Sequence, residues 1–212
     1  MGQLTMTSFV TLDGVMQAPG GPDEDRSGGF EHGGWLVPHV DEDMGRIVDG
    51  IFAKADAFLL GRGTYQIFAS HWPRVTDPGD AVAAALNRLP KHVASTTLRS
   101  VDWPGASLIR GDVPAAVADL KRRYARELQV HGSPGLAQTL LAHGLVDELR
   151  LWIYPVVLGG GKRLFGSGAA PAALKLAGLQ TTSTGVVVAT YRSAGKPTYG
   201  TVGLETEGGG RS

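Results

Sequence analysis

The sequence contains no cysteine. That absence removes disulfides, thiolate nucleophiles, iron–sulfur ligation and zinc–cysteine sites together, so redox chemistry here would need a bound cofactor. An excess of charge is also missing. Lys plus Arg and Asp plus Glu stand at 20 each, and neither sign runs in a long block. A nucleic-acid binder would carry a basic face, so the expected partners are small molecules or other protein chains, with no nucleic acid among them. No apolar run approaches the length that spans a bilayer, and the opening MGQLTMTSFV shows neither a basic leader nor a long apolar core. The expectation is a cytoplasmic protein with no membrane partner. The six histidines form no HExxH or other close ligand pair, which argues against a metal site, and the lack of a G-x-S-x-G elbow argues against a serine hydrolase.

What is present reads as one α/β domain over residues 1–195, followed by a 196–212 extension whose closing GGGRS is expected to be disordered. Leu4, Met6, Ser8 and Val10 alternate with Thr5, Thr7 and Phe9, the period of a strand. A glycine- and proline-rich stretch from Asp13 to about Val40 follows, the composition of a lid loop. Met44, Ile47, Val48, Ile51 and Phe52 then share one face of a helix that Asp41 can cap. Further along, the pattern predicts a strand at 56–60, helices starting near Thr64 and over Ala81–Leu89, and a strand at Lys91–Ser95. A helix after Asp112, a strand at Leu128–His131, a helix capped by Ser133, and strands at 149–153, 156–158 and 186–191 complete it. Alternation of strands and helices predicts a mainly parallel sheet, and the last strands, joined without a helix, an antiparallel edge.

The segment DAFLLGRGTY carries the chemistry most plainly. An apolar strand ends abruptly at Gly61-Arg62-Gly63-Thr64, where backbone N–H groups at a helix start, a cation and a hydroxyl can receive a phosphate. A solvated turn is the plainer alternative. Ser95-Thr96 and Gly132-Ser133-Pro134-Gly135 end two further strands, and in an open α/β sheet ligands gather along that edge. Gly159-Gly160-Gly161-Lys162 is no Walker loop, because Arg163 stands where Ser or Thr is needed; a tight turn with a possible cofactor contact is expected there instead. Among carboxylates, Asp41, Glu42 and Asp43 favour a helix N-terminus through its dipole, and Asp13 suits a local Asp-Gly turn.

Taken together, TLDGVMQAPGG, DAFLLGRGTYQIFASHWP and ELQVHGSPGLAQTLLAHGLVDELRLWIYPVVLGGGKRLF resemble the dihydrofolate-reductase-like family, and within it the reductase domain of riboflavin biosynthesis and its stand-alone relatives. The resemblance spans Leu4 to about Tyr191. It implies a mostly parallel sheet of about eight strands and an NADPH-dependent reductase acting on a C=N or C=C bond of a small planar heterocycle, pterin- or pyrimidine-like. The cofactor residues it implies are Gly14, Gly61, Arg62, Gly63, Thr64, Ser95, Thr96, Gly132, Ser133, Gly135 and Leu136. Asp13 and Asp41 are the catalytic candidates, and Trp35 and Phe52 the candidates for substrate contact. Two departures stand out. Gly132-Ser133 occupies the place of a glycine pair, and the first helix offers Asp41, Glu42, Asp43 and Asp49 rather than one acidic residue. Relatives of this type often pair through sheet edges, so a homodimer is a further expectation.

Overall fold

The period-two pattern at the start of the chain builds β1 (Gln3–Thr11), whose Leu4, Met6 and Val10 are buried on one face and Thr5 and Thr7 on the other. The computed structural model describes residues 1–167 and 169–202. Gly168 and the closing GGGRS fall outside the described residues. After β1 come α1 (Glu42–Phe52), β2 (Ala55–Gly61), α2 (Arg62–His71), α3 (Ala81–Arg88), β3 (Lys91–Ala94) and β4 (Ala106–Ile109). The chain continues through α4 (Val113–Arg123), β5 (Glu127–His131), α5 (Pro134–Ala142), β6 (Glu148–Tyr154), β7 (Leu174–Thr181) and β8 (Val187–Ser193). All strands join one eight-stranded sheet in the order β4-β3-β2-β5-β1-β6-β8-β7. The first six are parallel; β8 runs antiparallel to both β6 and β7.

Local chemistry accounts for most boundaries. Asp41, Asp80 and Asp112 each accept a hydrogen bond from a backbone N–H in the first turn of α1, α3 and α4, the N-cap role that stabilises a helix start by about 1 kcal/mol. Gly144, at φ +61, ends α5, with the Leu145 N–H reaching back to the Leu140 carbonyl.

The two faces of the sheet differ. One is a continuous apolar layer of Leu4, Met6, Leu59, Leu128, Val130 and Leu149 under α4 and α5. The other has two aromatic clusters, one around Trp35, Trp152 and Tyr154 and one around Phe52, Phe58 and Trp103. Between them lie polar side chains of β1, β5 and β6: Thr5, Glu127, Gln129, His131, Glu148 and Arg150, all buried.

Some expectations are corrected. α2 begins at Arg62, directly after the strand, not near Thr64. Residues 156–158 form no strand, because the chain after Pro155 turns away to bring the backbone of Leu158 and Gly159 to the Asp13 carboxylate. Two strands lack a sequence signature. β4 is only four residues long and half-buried, and β7 is an edge strand exposed on both faces, so neither needs apolar alternation.

Candidate cofactor and substrate cleft

The connections leave β2 and β5, neighbours in the sheet, in opposite directions: β2 leads through α2 and α3 to β3, and β5 leads through α5 to β6 on the far side of β1. Such a reversal opens a crevice at the carboxyl ends of the strands, where α/β sheets bind their ligands. A cavity of about 1340 Å³ occupies that position. It exceeds the roughly 300–1,000 Å³ of a typical single-ligand pocket, which leaves room for two ligands end to end.

At its outer end the wall is Arg62, Ser95, Thr96 and Thr97. Arg62 is exposed in the first turn of α2, and its Nη1 donates to Thr97 Oγ1 at 3.1 Å, a partner not singled out from sequence. Ser95 Oγ accepts from the N–H groups of Thr97 and Leu98, which folds the loop back toward Arg62.

The middle is built from two helix starts that face each other. Neither α2 nor α5 has a side-chain cap, so the backbone N–H groups of Gly63 and Thr64 on one side and Gly135 and Leu136 on the other have no partner among the described residues. Unpaired donors and two aligned helix dipoles make a receptor for anionic oxygen. Ser133 explains how the two starts are fixed. It stands at the N-cap position of α5 but does not cap that helix, as the sequence suggested; its hydroxyl accepts from the Gly61 N–H at 2.9 Å and donates to Thr64 Oγ1 at 2.7 Å. The reach requires φ +64 at Ser133, a left-handed conformation costing about 1–3 kcal/mol that persists where the surroundings over-determine it. The only other described non-glycine residue with positive φ, Ala18, is also on the cavity wall.

The inner end is apolar and aromatic: Phe9, Leu36, Met44, Val48 and Phe52, with Thr7 and His131 as its polar groups. His131 was missed from sequence because a histidine at a strand end has no motif. Burial, followed by the nearby Arg150 charge, pulls its pKa down to about 3, so the ring is neutral.

Met16 to Asp25 close one side. This lid is pinned by Gln17, whose side-chain amide donates to the carbonyls of Asp25 and Ser27 and accepts from the Lys162 N–H. Glu24 is on the wall, and burial raises its pKa against the lowering effect of the Gly20 N–H that it accepts.

Four sequence candidates lie away from the cavity wall. The Asp13 carboxylate accepts from Thr11 Oγ1 and from the N–H groups of Leu158 and Gly159, and pairs with Arg163. These bonds, the Thr11 hydroxyl first, hold it ionised with a pKa of about 2. Asp13 thereby clips the 158–163 turn to the end of β1. Asp41 is committed likewise to Met44, Ser183 and Thr184, and the Met44 N–H above all holds its pKa far below the carboxylate range. Trp35 is buried, its Nε1 donating to the Gln17 carbonyl and its ring edge-on to Tyr154. Gly14 supplies the turn after β1 at φ +80 and accepts from the Leu164 N–H. Of the glycine turn, Lys162 alone reaches the cavity, where it pairs with Asp25. Phe52, Gly61, Arg62, Gly63, Thr64, Ser95, Thr96, Gly132, Ser133, Gly135 and Leu136 all share the wall.

Sheet order, antiparallel edge and cleft place the chain in the dihydrofolate-reductase-like fold class. The Enterococcus faecalis dihydrofolate reductase complexed with NADP(H) has a TM-score of 0.58 to it at 12% identity, covering 91% of this chain and 97% of that one. More closely, the chain belongs to the RibD C-terminal domain family, whose model matches residues 3–188. The uncharacterized protein YyaP of Bacillus subtilis (strain 168) is 30% identical over 184 residues, 86% of this chain and 90% of its own. A provisionally named riboflavin biosynthesis protein from Shewanella sp. PV-4 has a TM-score of 0.68 at 21% identity, covering 90% of this chain and 98% of its own. No helix among the described residues is long and apolar enough to cross a membrane.

Proposed function

We propose that the protein is an NADPH-dependent reductase that delivers a hydride to a C=N or C=C bond of a small planar heterocycle. The observation that carries this reading is the pair of uncapped helix starts on one cavity wall, with Arg62 and its hydroxyl neighbours on the outer side and an aromatic chamber on the inner. The residues present suit the cofactor. Unpaired N–H groups of Gly63, Thr64, Gly135 and Leu136 match a pyrophosphate, and an arginine flanked by Ser95, Thr96 and Thr97 suits a 2′-phosphate better than a carboxylate would. When bound, NADPH supplies the hydride. The chain itself orients the two reactants, and the proton comes from water or from an acidic residue, Glu24 being one carboxyl on the wall.

A riboflavin-pathway ribosylamino-pyrimidine is the second reading, favoured by family membership. It calls for a further cation to hold the sugar phosphate. Among the described residues the Lys and Arg on the wall are Arg62 and Lys162, the latter paired with Asp25. This favours an unphosphorylated heterocycle. A titration of NADPH and NADH followed by tryptophan fluorescence tests the cofactor half: NADPH is expected to bind the more tightly, and no binding of either would remove the assignment. Turnover of a pterin or pyrimidine with NADPH then separates an enzyme from a non-catalytic nucleotide-binding module.

A further inference from the structure

The inner chamber holds a polar pair that the cofactor does not need. Thr7 and His131 are register partners of β1 and β5, so their side chains leave the sheet side by side on the same face, and both are on the cavity wall. Around them are Phe9, Met44, Val48 and Phe52. The His131 ring stacks on Phe52 with centroids 4.6 Å apart and planes 22° apart, which leaves its edge to recognise a ligand.

The hydrogen-bond chain behind His131 determines which atom that edge offers. Gln129 Nε2 donates to the Ile51 carbonyl at 2.7 Å and to Glu127 Oε2 at 2.7 Å. Both partners are acceptors, so the amide orientation is unambiguous and Gln129 Oε1 must accept. It does so from His131 Nε2 at 3.1 Å, which places the ring proton on Nε2 and leaves Nδ1 bare. Glu127 is held in turn by Arg150, whose Nη1 and Nη2 donate to its two oxygens at 3.0 and 2.7 Å. His131 Nδ1 and the Thr7 hydroxyl have no partner among the described residues. Neither atom is sealed, since among the described residues the sealed polar side-chain atoms without partners are Ser8 Oγ and Trp152 Nε1.

We propose that Thr7 and His131 are a specificity-determining pair for a heterocycle that carries a ring N–H beside a carbonyl: the N–H donates to His131 Nδ1, and the carbonyl accepts from the Thr7 hydroxyl. The inference rests on the reading of the inner chamber as the substrate end of the cleft. Its energetic basis is that a site built around buried polar groups rejects an analogue that leaves them unpaired. Gln129 is a positioning residue, acting through the tautomer that it imposes.

Protein labelled with ¹⁵N in histidine, saturated with NADP⁺, tests this with two probes: lumazine, which has the N–H and carbonyl edge, and 1,3-dimethyllumazine, which lacks the N–H. The His131 ring is expected to show the Nε2–H tautomer. Lumazine should shift its Nδ1 resonance and bind at least tenfold more tightly than the dimethyl compound. His131→Phe, which keeps a flat ring on Phe52, should abolish the preference while leaving NADP⁺ affinity unchanged, and Thr7→Val should weaken it. The opposite tautomer, an Nδ1 resonance that lumazine does not move at millimolar concentration, or equal binding of the two probes would overturn the proposal. NADP⁺ binding is read separately from the ³¹P signal of its 2′-phosphate. Failure there overturns the cofactor reading, and the lumazine pair is then compared on the protein alone.

Discussion

Replacing Gly61 by alanine tests whether the two helix starts are joined as described. Gly61 has φ −78 and ψ 164, a conformation any residue adopts, so glycine is needed there for space. A Cβ would lie 2.8 Å from Ser133 Oγ and 2.9 Å from Ser133 Cβ. Ser133 is 7% exposed and cannot swing aside. Overpacking of this kind costs about 1–3 kcal/mol. Ser133→Gly removes the obstructing atoms, leaving the Gly61 N–H without its hydroxyl at about 1–3 kcal/mol, and relieves a left-handed residue of about the same cost; alone it should be close to neutral. In the Ser133→Gly background, Gly61→Ala no longer clashes, and the reduced freedom of the unfolded chain makes it stabilising by about 0.4–1 kcal/mol. The double-mutant cycle should therefore show a coupling of at least about 1.5 kcal/mol, read from urea unfolding midpoints of the four proteins at constant m. Gly61→Ala alone should also weaken NADPH, because it shifts the start of α2. A coupling below about 0.5 kcal/mol would refute the reasoning, since independent sites add to within that margin.

Further outcomes follow from the same geometry. Arg62→Ala should weaken NADPH by roughly tenfold or more and NADH far less, since charge-assisted hydrogen bonds are worth about 1.5–3 kcal/mol; equal losses in a binding titration would contradict its role at the 2′-phosphate. His131, with its folded pKa pulled down to about 3 by burial and Arg150, binds fewer protons in the folded than in the unfolded state between about pH 3 and 6.5. Stability should therefore fall as pH drops below about 6.5, by up to roughly 1.4 kcal/mol per unit from this group, and unfolding of His131→Phe should show a visibly flatter profile. Lys91, fully buried with its Nζ donating to the Leu86 carbonyl and 4.5 Å from the Trp103 ring centroid, has its pKa lowered to about 8 by burial. Stability should accordingly rise from about pH 8 toward 10, and Lys91→Met should remove that rise. Glu127→Ala leaves Arg150 without one of its buried partners and should cost about 3–5 kcal/mol in denaturant unfolding; a loss below 1 kcal/mol would show that the cluster does not hold the sheet centre.

Much of the architecture was legible in the chain. Period-two alternation marked β1 and β6, the shared face of Met44 to Phe52 marked α1, and Asp41 and Asp112 marked the starts of α1 and α4, because strands, amphipathic helices and caps are local patterns. β4 and β7 were not legible, since a short half-buried strand and an exposed edge strand are defined by their neighbours' hydrogen bonds rather than by their own side chains.

For the cleft, the sequence by itself determined which segments end strands in glycine and hydroxyl residues, and those segments share one wall. It could not tell a carboxylate that faces a ligand from one that ties down a turn. Asp13 and Asp41 are spent on loops 145 and 142 residues away in sequence, at Leu158 and Ser183. Nor could it place His131 beside Thr7, or show that Ser133 reaches Gly61 across 72 residues instead of capping its own helix. Those assignments depend on strand order and register, which bring distant side chains within hydrogen-bonding reach; local patterning carries no record of them.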